Sequence, residues 1–403
     1  MTVLYFGPDR QDPAVRRRVA QWRHAGFDVL AFAFSRTARD AADGASGEGR
    51  TDYIDLGHLQ PQSRFGRLIS IAFACARLIS VPRRIAPAKL IVARNLDNLI
   101  VALFARWLWG AKAPVVYEVL DINPACTETG WTGTVIRAVE KQLLRRVDLL
   151  VVSSSRFVSE YFERTLGFRG RSFLFENKVP RYVNAAPRLD RVLPPAAAGA
   201  GRGRRWRIGW FGYLDDEHSW QLLKGLAEAL PDGVEVYVRG APYTNFDMPR
   251  FLEDVSRLPN VRYGGRYDNP ADLPTMYAAV DLVWSIDCNN LLTNSKWLLT
   301  NSIYEAGYYR VPVLALAGTA VGEMVAAEGL GWCLGQPTVS DLVTFIRDLD
   351  ERTYDARRRE LMAVDATRFL ETDEIARIWT IVVTSSSRET LALDRTKQAS
   401  PAG

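Results

Sequence analysis

The sequence predicts an α/β protein made of two doubly wound domains, each around a mostly parallel sheet. Three observations carry the prediction. Short β-rich runs alternate with helical patterns twice over. The two series are separated by PRLDRVLPPAAAGAGRGRR, Pro187 to Arg205, which has no periodicity. The segment from Asp281 to Leu316 reads as strand, loop, helix, tight turn, strand. Such βαβ repetition implies parallel strands. With 403 residues and 48% hydrophobic content, the chain can fill two cores.

The first series opens on a strand, Val3 to Phe6, with no signal-peptide pattern before it. A helix over residues 13–25 has Pro13 near its start and Gly26 after its end, the usual asymmetry. Val29 to Phe34 is the second strand. Residues 38–52, rich in Gly, Asp and Ala, read as an exposed loop. Leu90 to Arg94, Val115 to Leu120 and Leu149 to Ser153 complete the series. Residues 187–205 then form a linker. In the second series, Ile208 to Phe211, Val234 to Val238, Val261 to Tyr263, Leu282 to Ile286 and Val313 to Leu316 are strands, with helices over 219–230 and 271–280 among those between them. The expected domains are therefore 1–186 and 206–370. A helix over 371–385 crosses back to the first domain, and a disordered tail covers 386–403.

Composition narrows the function. A net charge of +5 suits an acidic partner such as a nucleotide, a lipid diphosphate or an anionic membrane surface, without singling out nucleic acid. Cys75, Cys126, Cys288 and Cys333 have no metal spacing and read as buried free thiols. His24, His58 and His218 have none either, and Asp215, Asp216 and Glu217 read as a solvated turn, so no metal is expected. The GPDRQD loop after the first strand lacks the G-x-G-x-x-G fingerprint, which argues against a nicotinamide enzyme. No apolar run reaches the ~20 residues of a spanning helix. RFGRLISIAFACARLISVPRR, Arg64 to Arg84, has five arginines and no acid around an apolar centre. It reads either as a membrane-interface helix or as a core helix with snorkelling ends.

Candidate site residues fall at strand ends, where doubly wound sheets bind ligands. Glu305 lies one turn before the end of a helix that follows the polar loop Asn289, Asn290, Thr293, Asn294 and Ser295. That setting suits a ribose diol and a diphosphate. Lys296 is a candidate phosphate cation at the helix N-terminus. Arg239 is a second cation at a strand end, and Tyr267 is placed to stack on or flank a base. In the first series, Val115 to Asn123 ends a strand with two carboxylates, Glu118 and Asp121. Only one of them easily faces a cleft. Asp121, nearer the strand end, is the better general base for taking a proton from an acceptor hydroxyl. It could equally cap the following helix. Asp9, Arg10, Arg94 and Asn95 lie at neighbouring strand ends and would line the acceptor side.

Several motifs together resemble GT-B glycosyltransferases of bacterial exopolysaccharide assembly: the MTVLYF start, ARNLDNL, YEVLDIN, LLVVSSSRF, FLFENKVP and SKWLLTNSIYEAGYYRVPVLALAGT. The likeness is to succinoglycan-type glucosyltransferases over most of residues 1–385. The architecture is also similar to glycosyltransferase family 4 and to the xanthan glucuronosyltransferase. The resemblance implies two Rossmann-like domains facing a cleft and a UDP-sugar as donor substrate, with no cofactor.

 It further implies a polyprenyl-diphosphate-linked oligosaccharide as acceptor, at the cytoplasmic face of the inner membrane. By the same resemblance Glu305 accepts both ribose hydroxyls, the Gly212 turn lies against the diphosphate, and Asp121 matches the base of a similar "VYxxxD" run. Two positions depart from family 4. Trp297 stands where a second Glu falls, and Ser302 stands where a basic residue falls. These departures favour direct, inverting displacement with Asp121 as base. Two other readings stay open, a UDP-sugar 2-epimerase of the same fold and a catalytically silent subunit that binds a glycolipid.

Overall fold

Runs that are apolar throughout suit strands covered on both faces, and the computed structural model places them so. It describes residues 1–35, 53–59, 64–81, 88–182, 205–243, 246–335 and 337–384. The chain divides into two compact units, Met1–Phe175 with Asp373–Gly403, and Glu176–Thr372. The expected loop over 38–52, most of the 187–205 linker, Arg83, Arg84 and the 386–403 tail lie outside the described residues.

In the first unit, β1 (Thr2–Gly7), β2 (Asp28–Ser35), β3 (Tyr53–His58), β4 (Leu90–Arg94), β5 (Val115–Val119), β6 (Leu149–Val152) and β7 (Ser172–Leu174) form one parallel sheet. Its order is β3-β2-β1-β4-β5-β6-β7. The order reverses between β1 and β4, where Phe6 is paired with Ala93. Helix α1 (Pro13–His24) is capped by Asp12, whose carboxylate accepts from the Ala14 amide at 2.8 Å. It connects β1 to β2. Helices α2 (Arg64–Ser80), α3 (Asn95–Leu108) and α4 (Trp131–Leu144) connect strands in the opposite direction across the sheet. Right-handed crossovers therefore put these three on one face and α1 on the other. The α1 face also buries Ile375, Ile378 and Val382 beside Val3, Tyr5 and Trp22.

The second unit has β8 (Trp206–Leu214), β9 (Val234–Pro242), β10 (Val261–Tyr263), β11 (Leu282–Trp284), β12 (Val313–Leu316) and β13 (Gly331–Leu334), in the order β10-β9-β8-β11-β12-β13. Its helices include α5 (Glu217–Ala229), α6 (Met248–Arg257), α7 (Leu273–Ala278) and α8 (Asn301–Tyr308). Here the reversal falls between β8 and β11. The two sheets thus present two switch points, one in each unit.

The sequence reading passed over β3, β7 and β13. They are edge strands of six, three and four residues, too short or too polar to stand out. Two further expectations are corrected. Cys333 is exposed rather than buried, and only Cys126 of the four thiols is fully buried. Gly212 is inside β8 rather than in a loop after it, at φ +136°, paired with Gly240. A Cβ on Gly240 would lie 1.9 Å from the Gly212 carbonyl oxygen. Backbone cannot retreat from such a contact cheaply. Gly240→Ala should lower stability by ~1–3 kcal/mol, read as a lower urea midpoint for the transition of the second unit. An unchanged midpoint would show that this close approach is relieved by the strands themselves.

Candidate active site

In the second unit the site begins with Glu305. It is 4% exposed on α8, although a helix Glu three residues before the C-terminal end would ordinarily be solvated. Two neutral donors hold it. Asn269 Nδ2 donates to Oε1 at 2.9 Å, and Tyr277 Oη donates to Oε2 at 2.8 Å. Burial and the Glu305 charge together raise the Tyr277 pKa, so the phenol stays protonated and donating. The ring of Tyr277 stacks on Tyr309 with centroids 5.1 Å apart. Asn269 and Tyr277 are among the groups that hold this carboxylate, and a diol is the kind of donor pair that a carboxylate accepts.

The loop that delivers Asn269 is tied down by Arg239. Its guanidinium donates to the carbonyls of Gly265 (3.2 Å) and Arg266 (2.6 Å) and to Asp272 Oδ2 (3.0 Å). Arg239 is therefore engaged in shaping the 265–272 loop. Tyr267 on that loop is half-buried and packs against the cluster that contains Tyr277 and Tyr304. Arg239, Tyr267 and Glu305 are thus brought into one connected assembly, together with Asn269 and Tyr277. The last two were not singled out from the sequence, although both belong to the NPADLPTMY stretch that follows Tyr267.

Lys296 lies elsewhere. It is exposed in a four-residue turn, Asn294–Trp297, and Leu298 to Thr300 separate it from α8. The expected place at the N-terminus of the Glu305 helix is taken instead by Thr300, whose side chain does not cap the helix. Three hydroxyls gather there. Ser285 Oγ is 2.6 Å from Thr300 Oγ1 and 2.8 Å from Ser302 Oγ. Ser302, at the position where family 4 carries a base, thus belongs to a hydroxyl cluster. Asn294 opens the short turn, and its carbonyl accepts from the Leu298 amide.

The acidic run after β8 is also corrected. Asp216 is 4% exposed and caps α5 through the amides of His218 and Ser219. Its other oxygen accepts from Ser219 Oγ (2.5 Å) and the Cys288 amide (2.7 Å). It pins the loop after β11 to the start of α5, across the switch point. Among the described residues no group of three or more His, Cys, Asp or Glu side chains could hold a metal ion.

In the first unit, Asp121 is exposed, two residues beyond β5. The capping alternative falls to Asn123, whose Oδ1 accepts from the Ala125 amide at 3.0 Å in the turn Pro124–Thr127. Glu118 points into the protein. It is paired with Arg18 and with Arg94 (2.9 Å), and Tyr5 Oη donates to it at 2.9 Å. Glu118 and Arg94 are each 2% exposed, so neither presents its charge at the surface. Asp9 is buried and accepts from the Gln11 amide at 3.0 Å. Arg10 is half-buried, with Nε and Nη2 enclosed and unbonded. Asn95 opens α3 at φ 67°. Asp9, Arg10, Arg94 and Asn95 all fall at the β1/β4 switch point, as strand ends should.

Burial works against the Glu118 charge, but Arg18, Arg94 and their hydrogen bonds outweigh it and push the pKa down to about 2. Because the folded value is below the ~4.3 of an unfolded Glu, its stabilisation is complete above that value and is lost as pH falls toward 2. Glu118→Gln leaves Arg18 and Arg94 buried without a counter-charge. It should cost ~3–5 kcal/mol and remove this acid-dependent limb from the stability profile. A variant of wild-type stability between pH 5 and 8 would refute the pairing.

The glycosyl transfer 4-like pattern, "Glycosyl transferase 4-like domain", matches residues 11–177. The succinoglycan biosynthesis protein ExoL of Rhizobium meliloti (strain 1021) is 33% identical over 364 residues, covering 89% of this chain and 87% of that protein. Among solved structures, Anabaena HepE in complex with UDP and glucose aligns with a TM-score of 0.66 at 18% identity, covering 97% of this chain and 99% of HepE. The lipopolysaccharide outer core galactosyltransferase WaaB aligns at 0.60 and 11%, covering 96% of this chain and all of that one. Two parallel doubly wound sheets with these neighbours define the GT-B fold. The chain belongs to the family of the succinoglycan biosynthesis protein ExoL, with a glycosyl transferase 4-like domain over residues 11–177, and it is a glycosyltransferase.

Proposed function

We propose that this enzyme transfers a hexose, glucose in the simplest case, from a UDP-sugar to a polyprenyl-diphosphate-linked oligosaccharide during assembly of a succinoglycan-type exopolysaccharide. The observation that carries the reading is the buried Glu305 carboxylate, held by Asn269 and Tyr277 and suited to a ribose diol. The name of the 33% identical relative supports the pathway class. The UDP, glucose and UDP-glucose complexes of HepE support the donor. The work takes place at the cytoplasmic face of the inner membrane, with the basic segment 64–84 against the lipid.

In this reading the second unit holds the donor. Glu305 accepts the ribose hydroxyls, Tyr267 flanks the base, and Gly212 leaves room for the diphosphate beside the Ser285, Thr300 and Ser302 hydroxyls. Arg239 acts through the loop it ties, while Lys296 and Asn294 reach the phosphates from the exposed turn. The first unit holds the acceptor near Asp9, Arg10 and Asn95, with Arg94 and Glu118 beneath them as a fixed ion pair. Asp121 takes the proton of the acceptor hydroxyl as its oxygen attacks the anomeric carbon. The bond from that carbon to the UDP oxygen breaks, and the configuration inverts.

Glu305→Gln keeps the size of the side chain but loses the charge that accepts the diol. UDP affinity should fall by ~1.5–3 kcal/mol in calorimetry, with thermal stability near that of the wild type. Unchanged affinity would remove Glu305 from the ribose.

Asp121→Asn cannot take a proton. Turnover should fall by ~10²–10⁴ while UDP affinity stays the same, and the wild-type product should show an inverted anomer by NMR. Near wild-type turnover in the variant would move the role to another group.

A further inference from the structure

The loop that follows β11 carries a carboxylate that the donor reading leaves unused. Asp287 lies three residues past the strand, at the β8/β11 switch point, where doubly wound sheets bind ligands. It is half-buried. Its Oδ1 accepts from the Asn289 amide and from Ser295 Oγ, both at 2.9 Å. Ser295, 3% exposed, in turn accepts from the Asn290 amide at 2.8 Å. The loop is thereby closed on itself, with Asp287 fixed inside it. The second oxygen, Oδ2, has no hydrogen-bond or ion-pair partner among the described residues. Thr293 of the same loop repeats the pattern, with an Oγ1 that is enclosed and unbonded.

Hydrogen-bond chemistry decides what meets it. An ionised carboxylate oxygen only accepts, so the group that reaches Oδ2 must donate. Burial, and after it the Asp216 charge, raise the Asp287 pKa, while the Asn289 amide and the Ser295 hydroxyl oppose them. A phosphate there would set like charge against like. A divalent cation takes about six oxygen ligands, and both oxygens of Asp216 are committed to His218, Ser219 and Cys288. Lys296 of the same loop is exposed and unpaired with Asp287. A neutral polyol meets every condition. Each hydroxyl donates one hydrogen bond and accepts others, which suits Thr293 as well. The location agrees. Ser285, whose hydroxyl meets those of Thr300 and Ser302, precedes Asp287 by two residues, and two residues span at most ~7 Å. A sugar joined to a diphosphate beside Ser285 is within reach of Asp287.

We propose that Asp287, joined by Thr293, accepts hydrogen bonds from hydroxyls of the donor hexose and sets which sugar the second unit takes. The proposal rests on the donor reading of that unit and names a specificity-determining residue within it. A sugar without the matching hydroxyl leaves Oδ2 enclosed and unpaired, which costs more than one lost contact. A uronic acid brings a second negative charge to the loop, so a neutral hexose is preferred over a uronate.

The test is calorimetry of the full chain with UDP, UDP-glucose, UDP-galactose and UDP-glucuronate, repeated for Asp287→Asn and Thr293→Val. Asp287→Asn keeps an acceptor for Asn289 and Ser295 and puts a donor in place of Oδ2, so the loop is retained. For the preferred hexose, Kd relative to that of UDP should rise ~10–100-fold in Asp287→Asn. It should rise by a smaller factor in Thr293→Val, with UDP affinity and melting as in the wild type. The wild type should discriminate between the two neutral epimers and refuse UDP-glucuronate, and Asp287→Asn should narrow both gaps. If UDP and the UDP-sugars weaken by the same factor, Asp287 only shapes the loop and the proposal is overturned. It is overturned equally if neither variant moves the ratio of sugar to UDP affinity. Should Asp287→Asn fold poorly, the same ratio in Thr293→Val decides. If the wild type binds neither UDP nor any UDP-sugar, the donor reading and the proposal both fall. Failure of the ribose assignment alone looks different, because Glu305→Gln then leaves UDP affinity unchanged whatever Asp287→Asn does to the ratio.

Discussion

Glu118 has to be charged and buried at once, and the first unit is arranged around that requirement. A lone carboxylate in such a place would take up a proton. Arg18 from α1, Arg94 from the end of β4 and Tyr5 from β1 prevent it. Three strands and a helix are thereby fixed relative to one another at the β1/β4 switch point. The guanidinium of Arg18 lies 3.5 Å from the Phe175 ring, which ties in the end of the unit as well. Asp121 leaves β5 three residues after Glu118, so the rigidity of the ion pair sets where the exposed carboxylate begins.

The second unit meets the same demand with different groups. Asp216 replaces a salt bridge by hydrogen bonds alone, drawing the loop after β11 onto the start of α5. Arg239 holds the 265–272 loop through two carbonyls and Asp272. Each uses a charge to organise backbone rather than to meet solvent. The order of effects runs from strand end to loop to side chain. Asn269 can meet Glu305 only because Arg239 has already placed its loop.

The sequence made the two-sheet plan legible because apolar runs and turn residues report burial directly. Val261 to Tyr263 and Val313 to Leu316 are strands with the bounds read from the sequence. Polar edges were harder to see. β3 reads YIDLGH, and its strand character comes from pairing with β2 rather than from its own side chains. The site was legible in its carboxylates and not in their partners. Glu305 stood out by its helix, but its contacts come from residues 28 and 36 positions away. Lys296 looked like the start of that helix because Leu298 to Thr300 carry no breaker, and only the extended backbone at Leu298 and Thr300 separates the two turns.

One consequence joins the buried and the exposed parts of the first unit. Glu140 is the acid of α4, and it is turned inward onto Tyr117 of β5 and onto Tyr161. Burial raises its pKa, and the two phenols only partly offset that. A carboxylate here removes negative charge from the outer face while anchoring α4 to the strand that leads to Asp121. The inward turn therefore serves two ends together: it fixes the helix against β5, and it leaves the Trp131, Val135 and Val139 stripe apolar.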